Sequence, residues 1–337
     1  MMTPGGIISR RSVLRGLGAA ASAFALEGCA SLGGTGARLG AAELRTNPTL
    51  LVATTRKPVG GARAEPWFGS ERAARMSIAR ATLTAPDTGR FSLASMGLAD
   101  WRVEKIEPVP TVGDLLGPAA GVRDVLLYVH GFNETFETAA LDAARLSDGI
   151  RFRGETMVFS WPSKAKLFDY GYDRESAMWS RDALEQVIFG LITSPAVGRV
   201  HIVAHSIGTM LTMEAVRQIY DRHGGAVAER IGTVVFAAPD IDKDVFSSSV
   251  AHIGPLASKI TLITATNDRA LAVSRWMAGG ITRVGAAEHA ELERLGLRVI
   301  DASKQGWGII NHDLFLSNAQ IREIIRGAID GRPPGGA

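Results

Sequence analysis

Ser206 stands in the run Ala204-His205-Ser206-Ile207-Gly208, after the apolar stretch Val200-His201-Ile202-Val203 and ahead of a segment of helical period. That pattern predicts a tight strand-to-helix turn carrying a nucleophilic serine, with small residues two before and two after it where the chain crowds. A serine hydroxyl is a weak nucleophile at neutral pH. Acyl-transfer chemistry therefore needs a histidine to take its proton and a carboxylate to hold that histidine in the right tautomer. His312, in Asn311-His312-Asp313 beyond the last predicted strand, falls on a loop and is the expected base, whereas His289, in a charged helical stretch, reads as a solvated face residue. Asp268 follows the strand predicted over 260–265, one strand before the last, and is the expected acid. Asp240 and Asp242 follow the preceding strand and are the alternative acids; their other reading is a helix cap or a hydrogen bond at the sheet edge.

A tetrahedral intermediate carries negative charge that must meet preorganised N–H donors. The run Val125-Leu126-Leu127-Tyr128-Val129 ends in His130-Gly131-Phe132-Asn133, where Gly131 is expected to let the backbone turn and the Phe132 N–H to point inward. The Ile207 N–H, directly after the serine, is the expected second donor. His130 is expected to brace this loop rather than to act as a base.

These residues need a scaffold that brings strand ends together. Short β-rich runs over 49–55, 76–84, 125–130, 156–160, 200–204, 233–237, 260–265 and 297–301 alternate with helical segments, such as 209–220, closed by Gly224-Gly225. The alternation predicts an α/β fold with a mostly parallel, eight-stranded sheet covered by helices on both faces, whose central strands are apolar throughout. In such sheets function gathers at the carboxyl ends of the strands. Two segments could form the pocket there, the aromatic-rich stretch with Trp161, Phe168, Tyr170, Tyr172 and Trp179 and a glycine-hinged stretch over 270–285 with Trp276 and Met277 that could be a lid; ordinary packing of both onto the sheet is the equal alternative.

The 337 residues are 46% hydrophobic and 21% charged, a globular composition with one large domain, expected over 49–330, and a tail over 331–337. The formal charge of +3 gives no basis for a nucleic-acid partner. A single cysteine excludes an internal disulfide. It lies at Cys29, after Ser9-Arg10-Arg11-Ser12-Val13-Leu14, which resembles a twin-arginine export signal, and after an apolar run ending in Leu26-Glu27-Gly28 that resembles a lipobox. The expectation is a signal peptide over 1–28 and lipidation at Cys29. A flexible tether over 29–48 would follow, at the bacterial cell envelope, the periplasmic face of an outer membrane being one such location. Cleavage would remove three arginines and one glutamate and leave a charge of +1.

Six runs together resemble the DUF900 group of the α/β-hydrolase esterase/lipase superfamily. They are Leu51-Val52-Ala53-Thr54-Thr55-Arg56, Tyr128-Val129-His130-Gly131-Phe132-Asn133, Phe159-Ser160-Trp161-Pro162-Ser163, the Ser206 run, Ala237-Ala238-Pro239-Asp240-Ile241-Asp242 and Asn311-His312-Asp313. The resemblance implies the α/β-hydrolase fold, a Ser/Asp/His arrangement and no metal. It supplies no substrate. The expected activity is hydrolysis of a small-molecule or lipid carboxylic ester through an acyl-enzyme, without cofactor. The same parts would serve an acyltransferase or thioesterase, and the alternative from another class is an envelope lipoprotein that uses the fold as a binding module. Oligomeric state is not read from the sequence.

Overall fold

The computed structural model describes residues 48–60, 65–84, 101–116, 121–264, 283–287, 289–303, 316 and 318–332. Cys29 and the signal, the tether up to residue 47, Asp268, the stretch over 270–282, His312 and the tail beyond 332 lie outside the described residues.

Nine strands form one sheet: β1 (Thr49–Pro58), β2 (Phe68–Thr84), β3 (Arg102–Pro108), β4 (Arg123–Val129), β5 (Glu155–Ser160), β6 (Val197–His205), β7 (Ile231–Ala237), β8 (Ile260–Thr264) and β9 (Arg298–Asp301). Their order is β3-β2-β1-β5-β4-β6-β7-β8-β9. β2 runs antiparallel to both β1 and β3, and every other pairing is parallel. The expected eight strands are thus nine, the addition being β3. Its sequence, Arg102-Val103-Glu104-Lys105-Ile106-Glu107-Pro108, buries only Val103 and exposes most of its charged residues. Such a strand forms on the sheet edge from pairing with β2, not from an apolar run of its own.

The described α-helices are α1 (Phe136–Gly149), α2 (Tyr170–Trp179), α3 (Arg181–Thr193), α4 (Ile207–Ala228), α5 (Lys243–His252), α6 (His289–Glu293) and α7 (Ala319–Ile329). Within α4 the helical backbone breaks at Gly224, at φ 74° and ψ 177°, a conformation open to glycine. Alternation along the strands divides the core. Val125, Leu127 and Val129 face one layer with α3 and α4, and Leu126 and Tyr128 face the other with α1 and α7.

The chain leaves β4 through α1 to β5 on one side, then crosses back through α2 and α3 to β6 on the other side of β4. The loops that follow β4 and β6 therefore diverge at adjacent strand ends. That reversal opens the crevice where open α/β sheets bind their ligands.

Candidate active site

At the carboxyl end of β6 the strand hands over to α4 in one residue, Ser206, whose φ of 50° lies in the left-handed region. A non-glycine residue there costs on the order of 1–3 kcal/mol, strain that persists only where the surroundings fix it. They do so here: the Ser206 N–H donates to Ala237 O at 3.0 Å, and Ser206 O accepts from Thr209 N at 3.0 Å and Thr209 Oγ1 at 2.6 Å. The side chain is 4% exposed. Gly208 explains the small residue two positions on. A Cβ at that place would lie 2.3 Å from His130 O and 2.8 Å from Val129 O, both backbone atoms of the neighbouring strand end.

The loop after β4 lies directly against this turn. A Cβ on Gly131 would come 2.6 Å from His205 Nδ1 and 3.1 Å from Ser206 Cβ. Gly131 is not among the glycines with positive φ, so its smallness serves close approach and not, as expected from sequence, a turn; the left-handed residue of the loop is Asn133, at φ 62°. Among the described residues, neither the Phe132 N–H nor the Ile207 N–H has a hydrogen-bond partner. The Ile207 N–H opens α4, where first-turn donors are free and the helix dipole favours negative charge.

His130, fully buried, braces the loop as expected. Its ring stacks on Trp161 at 4.7 Å, Trp161 Nε1–H donates to His130 O at 2.9 Å, and the Trp161 N–H lies 3.1 Å from His130 Nε2. Arg56 Nη2 at 3.5 Å, Ser160 Oγ at 3.3 Å and Trp161 O at 3.1 Å also face Nε2, and Nδ1 lies 2.9 Å from Gly131 O, so both ring nitrogens are tied to the loop and its neighbours. Burial and the Arg56 charge hold His130 well below its usual value of 6.5, so the folded protein keeps it neutral. Ser160 and His130 form a serine–histidine contact, but both are fully buried and Arg56 Nε donates into Ser160 Oγ at 2.8 Å.

This neutral histidine has a consequence for stability. The unfolded chain binds a proton near pH 6.5 that the folded His130 refuses, so its contribution is complete above that value and is lost as pH falls toward the lowered folded value. His201, also lowered by burial, acts with the same sign, while Asp173, raised by burial, acts oppositely in a window opening near 3.8. The urea midpoint is expected to fall between pH 7.5 and 5.5, with a limiting slope of about 1.4 kcal/mol per pH unit for each such proton. An unchanged midpoint would show that His130 takes up a proton without unfolding.

The two alternative acids part company. Asp242 is the N-cap of α5, accepting from Val245 N at 2.8 Å. Asp240 is buried beside the serine turn, its N–H 3.4 Å from Ser206 O. Its Oδ1 accepts from Arg283 Nε at 2.9 Å and its Oδ2 from Tyr170 OH at 2.8 Å. Tyr170 in turn meets the Phe132 ring edge-on at 5.5 Å. Of the five aromatics expected around the site, Tyr170 meets the loop at Phe132 and Trp161 meets it at His130. Tyr172 donates to Ser70 O, Trp179 packs with Arg72, and Phe168 is 98% exposed. His289 is only partly solvated: it is half-buried and its Nε2 lies 2.8 Å from Thr264 Oγ1 at the end of β8.

A parallel sheet with one reversed strand, a crossover at β4 and a strained serine between β6 and α4 define an α/β-hydrolase. The chain belongs to the family described as alpha/beta hydrolase of unknown function (DUF900), matched over residues 118–328. The β1 run ending in Arg56 lies ahead of the matched segment. A curated relative, the uncharacterized protein alr1448 of Nostoc sp., is 24% identical over 126 residues, 30% of this chain and 33% of that protein. The chain thus spans about a third of that relative's length. Among solved structures, the Pyrobaculum calidifontis esterase is similar at 10% identity over 86% of this chain and 87% of that one, with a TM-score of 0.38. Est1E of Butyrivibrio proteoclasticus is similar at 10% identity over 75% and 96%, with a TM-score of 0.41. The ester-hydrolase EH1AB1 from the metagenome of Lake Arreo is similar at 14% identity over 97% and 98%, with a TM-score of 0.37.

Proposed function

We propose that the protein is a serine hydrolase that cleaves a carboxylic ester through an acyl-enzyme, with Ser206 as nucleophile, His312 as base, Asp268 as its orienting acid and the N–H groups of Phe132 and Ile207 as the oxyanion hole. The observation that carries this reading is the left-handed Ser206 with Gly131 of the facing loop packed against its Cβ. A strained serine beside free N–H donors is what attack on a carbonyl requires.

Ser206 Oγ attacks the acyl carbon and its proton passes to the His312 imidazole. The tetrahedral oxyanion is held by the two N–H groups. Collapse breaks the ester C–O bond, and the imidazolium gives its proton to the departing alkoxide. Water then attacks the acyl-enzyme with His312 as base, releasing the carboxylic acid and restoring Ser206. Asp240 suits the acid role less well, since both its carboxylate oxygens are engaged by Arg283 and Tyr170. Ser160 suits the nucleophile role less well, because its strand is regular and its hydroxyl is sealed from substrate.

The same reading includes export through the twin-arginine signal and anchoring by a lipid on Cys29 at the cell envelope, where small-molecule or lipid esters would be the substrates. Protein starting after Cys29 and treated with a fluorophosphonate is expected to carry the label at Ser206. The label should be lost in His312→Ala and strongly slowed in Asp268→Asn. Asp240→Asn should lower the melting temperature more than Asp268→Asn does. Well-folded protein that takes no label at Ser206 would refute the hydrolase reading.

A further inference from the structure

Two sequence runs that the proposed chemistry leaves unused, the end of β1 and the segment after β5, meet at one buried guanidinium. Arg56 is 1% exposed, and burial lowers its pKa to about 10, so it remains charged at neutral pH. Its donors reach three separate segments. Nε donates to Ser160 Oγ, Nη1 to Ser163 O at 3.0 Å and Gly69 O at 3.3 Å, and Nη2 to Glu134 O at 2.7 Å. Asp173, on α2 and likewise buried, accepts from Ser163 Oγ and from the Lys164 N–H at 2.9 Å. Ser163 Oγ also accepts the Glu134 N–H at 3.2 Å.

The loop from His130 to Glu134 is therefore pinned on both sides of Phe132. His130 is held by Trp161, and the Glu134 N–H and C=O by Ser163 and Arg56, with Asp173 holding Ser163 in turn. Burying a charge costs several kcal/mol, and well-packed apolar residues often serve stability as well or better. What an apolar cluster cannot supply is a fixed direction for the N–H between the pinned residues.

We propose that Arg56 and Asp173 are positioning residues that aim the Phe132 N–H at the oxyanion. The proposal rests on the reading of Ser206 as nucleophile and of this loop as half of the oxyanion hole. Because the donor's partner exists only in the transition state, disturbing its aim should reduce the chemical step and leave substrate binding alone.

The test uses p-nitrophenyl butyrate as substrate and a trifluoromethyl ketone, which adds to an active serine and places its oxygen in the hole. Asp173→Asn and Arg56→Lys are expected to lower kcat about 10- to 100-fold with KM within about threefold. Affinity for the ketone should fall by the same factor as kcat/KM. Ser163→Ala, which removes only the relay hydroxyl, should shift both in the same direction by less. The proposal is overturned if kcat and ketone affinity hold within about threefold while the melting temperature drops, or if KM rises and kcat does not change. Failure of all three variants to fold would also overturn it, since the cluster would then be scaffold alone. A wild-type protein that neither turns over nor takes a fluorophosphonate at Ser206 would instead refute the parent reading.

Discussion

Ser206→Ala is expected to lower ester turnover about a millionfold, the scale of loss seen when a serine protease loses its nucleophile, while leaving the fold intact. The stability of variants at this position carries a second, separable expectation. Alanine keeps the Cβ that makes φ of 50° costly, whereas glycine occupies that region freely. Ser206→Gly should therefore be more stable than Ser206→Ala by about 1 kcal/mol, the reverse of the usual order inside helices and strands. Urea denaturation of both variants checks the order, and a less stable glycine variant would show that the turn is not strained. Inactivity combined with that inversion would tie the strain to the proposed nucleophile and not to a generic turn.

Gly208→Ala should be among the most damaging single methyls in the described part of the chain. The added carbon would sit 2.3 Å from His130 O, so either α4 or the end of β4 must give way, and neither is the free end of a flexible side chain. Overpacking of this kind costs about 1–3 kcal/mol, or more where backbone must move. The expected fall in melting temperature is roughly 5–10 °C. The atom displaced belongs to the loop carrying Phe132, so kcat/KM should fall about a hundredfold even in the folded fraction. An active, stable Gly208→Ala protein would mean that the two loops are not in contact as described.

The sequence announces some of this architecture and conceals the rest for identifiable reasons. Apolar runs such as Val125 to Val129 declare a strand buried on both faces, and Ala204 and Gly208 mark a crowded turn around Ser206, because these signals are local. β3 escaped because its hydrogen bonds come from β2 and its own residues are mostly charged. Gly131 was legible as a special position but not for its reason, since contact with His205 and Ser206 depends on the pairing of β4 with β6. Arg56 bonds to residues more than a hundred positions away, and no window of sequence shows that. An arginine closing an apolar strand was the available signal. His289 misled for the same reason: its helix is charged, but its partner is the last residue of β8.

The sheet ends on one side in β3, where Lys105 pairs with Glu107 and Pro108 closes the strand, and on the other in β9, which is four residues long. Among the described residues, neither margin offers a long apolar ladder of backbone groups to a neighbour. Copies brought close together would meet there through charged, abbreviated rims. Crowding would then bring them together without their sheets merging into a continuous one.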